Sequence, residues 1–167
     1  IDQASYYVLI RVLIFILMPT EVIDWRLMIA VMAVLAMIVG NLFALAQRNI
    51  KVLIGYVCVA DVGYSLVAMA SIIPGASETI TLGLQGNLFF FLVGGITTAL
   101  AFMAVGVANH YGLKTFKDFA GLGKKMPLVS IAITIAALSF SGVPPFAGFW
   151  GKYLVFTAAI QANYTWL

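Results

Sequence analysis

Leu138-Ser139-Phe140-Ser141-Gly142-Val143-Pro144-Pro145-Phe146-Ala147-Gly148-Phe149-Trp150-Gly151-Lys152 decides how the chain is read. Apolar residues lead into it from Leu128 and resume after it from Tyr153 to Ala159. Pro144 and Pro145 remove two adjacent backbone donors, and Gly142 and Gly148 loosen the chain on either side. One continuous helix does not fit such a stretch. Two half-helices joined by an unwound segment do. At membrane depth a break of this kind persists only where protein or a water-filled cavity satisfies the freed backbone groups.

Composition places the whole chain in that setting. Of 167 residues, 63 % are hydrophobic and 9 % charged, against about 45–50 % and about 25 % in soluble domains. The mean hydropathy is +1.09. So few charges do not cover a water-exposed surface, which argues against a soluble enzyme, a disordered chain and a nucleic-acid-binding module. Helices are expected at about 4–18, 27–47, 52–73, 87–108 and 127–140 plus 149–165. The fold class is all-α: one polytopic transmembrane bundle over 1–167, with a Pro-Pro-broken last helix. The 4–18 run is short for about 30 Å of hydrocarbon, and no basic segment precedes it as in a signal peptide. It reads as the inner part of a helix, and the chain as a piece of a larger fold.

Loop charges set the orientation. One side holds the 48–51 turn and the 110–126 loop, with Arg48, Lys51, Lys114, Lys117, Lys124 and Lys125 against Asp118 alone. The other side holds Arg26 with Glu21, Asp24 and Glu78. Basic residues accumulate on the cytoplasmic side of membrane proteins, so the first side is expected there. No aromatic stacking platform accompanies the basic loop, and no nucleic-acid partner is expected. The lipid bilayer is.

Charges left at depth are costly and mark function. Asp61 lies about ten residues into its helix, roughly 15 Å from the Lys51 end. Cys58, Tyr64 and Ser65 share its face. Desolvation works against its charged form. Two readings stand: a proton relay, or a carboxylate paired with a base on a neighbouring helix. Lys152 follows the break near a helix N-terminus, where burial and the helix dipole both oppose its charge. That suits a lysine that gains and loses a proton. The plainer reading is an ammonium capping carbonyls freed by the break. Arg11 holds its proton at ordinary pH, so it is a fixed counter-charge. Asp2, at the start of the chain, is the remaining candidate.

Asn41 after Gly40, and Thr97-Thr98 after Gly94-Gly95, suit close helix packing with interhelical hydrogen bonds. They also suit water in a proton path, with packing the default. His110, the single histidine, reads as interfacial, and Cys58 is the single cysteine. No nucleotide, haem, iron–sulfur or phosphate motif is present, and no metal site or redox centre is expected in this chain.

Several stretches resemble one family. Asn49-Ile50-Lys51-Val52-Leu53-Ile54-Gly55-Tyr56 with Gly63-Tyr64, Phe116 to Leu122, Gly40 to Leu45, and above all Leu138 to Lys152 are similar to signatures of the antiporter-like subunits of respiratory complex I. These belong to a proton-conducting superfamily that includes multisubunit cation/proton antiporters. The likeness covers nearly the whole chain and is strongest to the quinone-proximal subunit. It implies helices eight to twelve of a longer bundle, with the broken one last. The family's proton-path lysine in that broken helix falls on Lys152. Two positions depart from the pattern. Asp2 stands where the family often has a lysine, and Asp61 where it often has a histidine. Arg11 matches a family arginine.

The resemblance implies a proton-translocating membrane subunit of a complex I-type oxidoreductase, using NAD(P)H, ferredoxin or F420. It would lie in the ion path and not the electron path. Proton translocation would rest on Lys152, Asp61, Arg11 and Asp2, and the helix break on Gly142, Pro144, Pro145 and Gly148. NADH, FMN, iron–sulfur clusters and quinone are expected in partner subunits, alongside other membrane subunits. The expected location is a bacterial or archaeal plasma membrane, with thylakoid and mitochondrial inner membranes as alternatives. An Mrp-type Na⁺/H⁺ antiporter subunit, a hydrogenase antiporter-like subunit and a static membrane scaffold remain as other readings.

Overall fold

The computed structural model describes residues 25–72 and 77–163, together with Val8 and Val12. The described residues form α1 (Trp25–Ala46), α2 (Ile50–Ala70), α3 (Ser77–His110), α4 (Leu122–Lys125), α5 (Pro127–Ser141) and α6 (Ala147–Gln161). Trp25–Ala46, Ile50–Ala70 and Gly83–His110 are each long and apolar enough to cross a membrane. The all-α bundle with a broken last helix is therefore the observed architecture.

Local chemistry explains where the helices differ from the sequence expectation. α2 begins at Ile50 because the Asn49 side chain accepts the Lys51 N–H at 3.0 Å. It ends at Ala70, where Ser71 Oγ donates to Val67 O at 2.7 Å. The largest difference is α3. A loop was expected as far as Gly86, yet the helix starts at Ser77. Ser77 and Glu78 are residue types that helix starts favour. Gly83 and Gly86 within α3 admit close neighbours: an added Cβ would lie 3.2 Å from Ala68 O and 3.1 Å from Leu154 Cβ, respectively. The second half-helix spans Ala147–Gln161 against an expected 149–165. The expected 4–18 helix, apart from Val8 and Val12, lies outside the described residues.

α1 and α2 pack antiparallel at backbone distance, and two glycines make that fit. A Cβ on Gly40 would sit 2.6 Å from Ala60 N, and one on Gly63 would sit 2.6 Å from Met37 Cγ and 2.9 Å from Ala33 O. Small residues let helices approach where lipid gives no hydrophobic drive to associate. Behind this pair, Ala33, Val67, Ala68, Phe90, Val155 and Ala159 form a core joining α1, α2, α3 and α6. A second core joins Ile50 and Ile54 of α2, Ala101 and Val105 of α3, and Ala136 of α5. Large apolar side chains such as Leu42, Leu92, Ile96, Met103 and Leu128 stay exposed on the outside, as hydrocarbon allows.

The basic loop between α3 and α4 is tied to the α1–α2 turn. Asn49 and Thr115 form an antiparallel bridge, and Ile50 N donates to Lys114 O at 3.2 Å. Asp118 closes the loop on itself. Its Oδ2 accepts the Thr115 N–H at 2.8 Å, the Thr115 hydroxyl at 2.8 Å and the Lys114 N–H at 3.1 Å. Phe119 packs under the loop, Gly121 takes φ +80, and Leu122 is buried. Asp118, Phe119, Gly121 and Leu122 of this motif thus each have a mechanical task.

Two outcomes follow. In the full-length subunit, Gly63→Val should cost about 1–3 kcal/mol through overpacking and lower the thermal stability of the assembled complex, read by detergent melting. The Asp118 carboxyl is held below its usual range, first by the Thr115 N–H, then by the Thr115 hydroxyl and the Lys114 N–H. A lowered folded value means the support is present at neutral pH and is lost as pH falls through that value. Amide protection at Lys114 and Thr115 should therefore persist through the ordinary aspartate range and fall only below it. Asp118→Asn should weaken protection and remove that pH dependence.

Candidate functional site

The site forms where the last helix breaks. α5 ends at Gly142 in the left-handed region, φ 71. Gly142 N donates to Ser139 O at 3.1 Å and Val143 N to Leu138 O at 3.2 Å, the paired bonds of a left-handed helix terminator. Pro144 and Pro145 follow in the turn, where their missing N–H groups leave no helical bond unmade. The chain re-enters a helix at Ala147. Gly148 then lies directly against the end of α5, because a Cβ there would overlap Ser139 O and sit 2.9 Å from Ser139 Oγ.

Lys152 reaches back across this break. Its Nζ donates to Phe140 O at 2.6 Å, one of the carbonyls that the end of α5 leaves free. The same ammonium lies 4.7 Å from the centroid of the Tyr64 ring, within cation–π range. The capping contact expected of a lysine after a break is thus made. It holds the ammonium at the point where the two half-helices meet α2.

Asp61 faces the same point from α2. The close α1–α2 packing at Gly40 and Gly63 sets α2's position, and Asp61 lies between the two contact points. Asp61 and Lys152 both line a chamber of about 330 Å³ with Asn41, Val57, Ala60, Tyr64, Phe140 and Ser141. Both also line a second, far smaller cavity of about 10 Å³ toward α3, among Val93, Gly94, Thr97, Ser139 and Gly148. Among the described residues no direct ion pair joins Asp61 to Lys152; the two groups share the lining of both spaces. The arrangement suits proton exchange: a titratable base and a titratable acid at one break, with room for water between them.

The structure therefore brings Lys152, Asp61, Gly142, Pro144, Pro145 and Gly148 together. Asp2 and Arg11 lie outside the described residues. Among the described residues no three His, Cys, Asp or Glu side chains gather where they could hold a metal ion. His110 is exposed at the end of α3, against Tyr111.

Reading the sequence missed the pairing of three polar features. Ser65 Oγ donates to Asn87 Oδ1, and both residues are buried between α2 and α3. Thr97 and Ser139 hydroxyls lie 3.1 Å apart, also buried, between α3 and α5. Arg26, counted with the loop charges, donates from Nε to Ala70 O at 3.1 Å at the end of α2. Asn87 carried a usable signal, since an amide within an apolar block needs a partner. Ser139 carried none, because a serine inside a glycine- and proline-rich motif reads as part of the break.

Comparison with known proteins bears on this geometry. A family model described as NADH:quinone oxidoreductase/Mrp antiporter, TM, matches residues 1–167. NADH-quinone oxidoreductase subunit N of Trichlorobacter lovleyi is 39 % identical over 166 residues, covering 98 % of this chain and 32 % of that protein. Its counterpart in Dehalococcoides mccartyi is 37 % identical over 145 residues, covering 86 % of this chain and 30 % of that protein. A chain of respiratory complex I from Thermus thermophilus, solved with bound Aureothin, superposes with a TM-score of 0.63 at 34 % identity, covering 81 % of this chain and 29 % of that chain. The chain thus spans about a third of the length of the curated relatives it matches. The matched region takes in the apolar spans, the basic loop and the broken helix with its lysine, and the chain belongs to the NADH:quinone oxidoreductase/Mrp antiporter transmembrane family.

Proposed function

We propose that this chain is part of a proton-translocating membrane subunit of a complex I-type NADH:quinone oxidoreductase, in a bacterial plasma membrane. The observation that carries the proposal is the meeting of Lys152 and Asp61 at the helix break, where both line the same two cavities. Lys152 takes up and releases a proton. Asp61 relays it or tunes the lysine's charge. Arg11 supplies fixed positive charge, and Asp2 adds a carboxylate. Electron transfer is assigned to partner subunits, which carry the flavin, iron–sulfur clusters and quinone, while this chain supplies the ion path. The family also covers Mrp-type antiporters, but relatives named as subunit N, aligned over most of this chain, favour the oxidoreductase reading.

Lys152's bond to Phe140 O serves this role as well as a structural one. It holds the ammonium at the break while charged. A neutral amine holds that carbonyl more weakly, because hydrogen bonds from charged donors are roughly twice as strong as neutral ones. Loss of the proton therefore loosens the contact and frees the side chain toward the wide chamber.

Lys152→Met in the full-length subunit, assembled in its complex in sealed vesicles, should lose most proton uptake per electron transferred while assembly stays normal. Asp61→Asn should lower it to a smaller degree. Simultaneous measurement of electron-transfer rate and proton uptake checks both. Normal uptake in an assembled Lys152→Met complex would overturn the role given to the lysine and leave the scaffold reading.

A further inference from the structure

The two cavities that share Lys152 and Asp61 are very unequal. The chamber bordered by Asn41 and Ser141 measures about 330 Å³, room enough for a cluster of waters. The space toward α3 measures about 10 Å³, close to the roughly 10–15 Å³ at which a cavity admits a single water. The polar groups that close the narrow side are the Thr97 and Ser139 hydroxyls, 3.1 Å apart, with exposures of 8 % and 7 %. Besides Lys152 and Asp61, the rest of that lining is Phe90, Val93, Gly94, Phe140 and Gly148. A proton leaving Lys152 toward α3 thus has room for a single water before these two hydroxyls.

We propose that the Thr97–Ser139 hydroxyl pair is the proton gate between Lys152 and the α3 side of the bundle. The proposal rests on the proton-path reading above and names residues that it does not include. A hydroxyl is both donor and acceptor and reorients by rotation about one bond. As the Lys152 N–H bond breaks, the single water accepts that proton and gives one of its own to a hydroxyl oxygen. That hydroxyl passes its original proton to the second hydroxyl, which gives its own proton to a water on the α3 side of the bundle. Lys152 is left as a neutral amine and takes a new proton from the wide chamber. Rotation of the O–H groups resets the pair. Gly148 is part of the device, because a Cβ there would drive Ser139 out of place.

The pair also has a bland interpretation, as an interhelical hydrogen bond that only fastens α3 to α5. The two roles respond differently to substitution. Thr97→Val keeps the volume and removes the hydroxyl, whereas Thr97→Ser keeps the hydroxyl and removes a methyl group. Each variant, and Ser139→Ala, is placed in the full-length subunit in its native complex in sealed vesicles. Assembly is verified, then proton uptake per electron is measured in H₂O and in D₂O. A gate predicts that Thr97→Val and Ser139→Ala lower uptake several-fold, while Thr97→Ser stays near the wild type with its solvent isotope effect retained. Normal uptake in either assembled hydroxyl-deleted variant overturns the proposal, as does loss in Thr97→Ser with normal uptake in Thr97→Val. Lys152→Met, run in parallel, separates the two readings: if it pumps normally, the proton path itself fails. If it does not pump while Thr97→Val and Ser139→Ala do, the gate alone fails.

Discussion

Backbone groups stranded in hydrocarbon cost several kcal/mol each, and that constraint governs the rest of this structure. The chain breaks its last helix at Gly142–Phe146, which strands carbonyls at the end of α5 and N–H groups at the start of α6. The left-handed Gly142 satisfies two of the carbonyls from within the chain. A third, that of Phe140, is satisfied by Lys152. The charge needed to stabilise the break is thus the charge a proton path needs. A fully apolar residue in place of Lys152 removes both at once. That is why assembly has to be measured alongside pumping wherever Lys152 is changed.

The close approach of α1 to α2 is the second condition. Gly40 and Gly63 sit on either side of Asp61 in the contact, one on each helix. With both helices at backbone distance, α2 has little freedom to turn about its axis. Asp61 is therefore presented to the break and not to lipid. Tyr64, one helical turn on, packs edge-on against Phe90 and Phe156 and lies beside the Lys152 ammonium. The site has rigid walls on the α2 side, while the α5–α6 side is an interrupted helix. Such an arrangement lets hydration change at the break without moving the carboxylate.

Polar contacts between the helices divide by position. Ser65 with Asn87 lies away from both cavities, buried among the helix cores, and acts as a clamp between α2 and α3. Cys58 Sγ lies 3.9 Å from Thr98 Oγ1 and is a weak version of the same contact. Thr97 with Ser139 has the same chemistry but lines a cavity with the two ionisable groups. Location alone separates a fastening hydrogen bond from one placed on a route.

The membrane class and the helix break were legible in the chain, and Lys152 and Asp61 stood out there as charges inside apolar runs. Each depends on a local or compositional property. Too few charges exclude a water-exposed surface, two adjacent prolines stop a helix, and a charge inside an apolar run is costly wherever the run packs. The start of α3 was misread for the opposite reason. Gly83 and Gly86 look like loop residues alone, and only their closeness to Ala68 and Leu154 shows why a helix keeps them. The juxtaposition of Asp61 with Lys152, the inequality of the two cavities, and the pairing of Thr97 with Ser139 were decided by tertiary structure. These residues are 91 and 42 positions apart in sequence, from Asp61 to Lys152 and from Thr97 to Ser139. No helical or strand period links positions so distant. Only the packing of α2, α3 and α5 around the break determines which polar groups share a space.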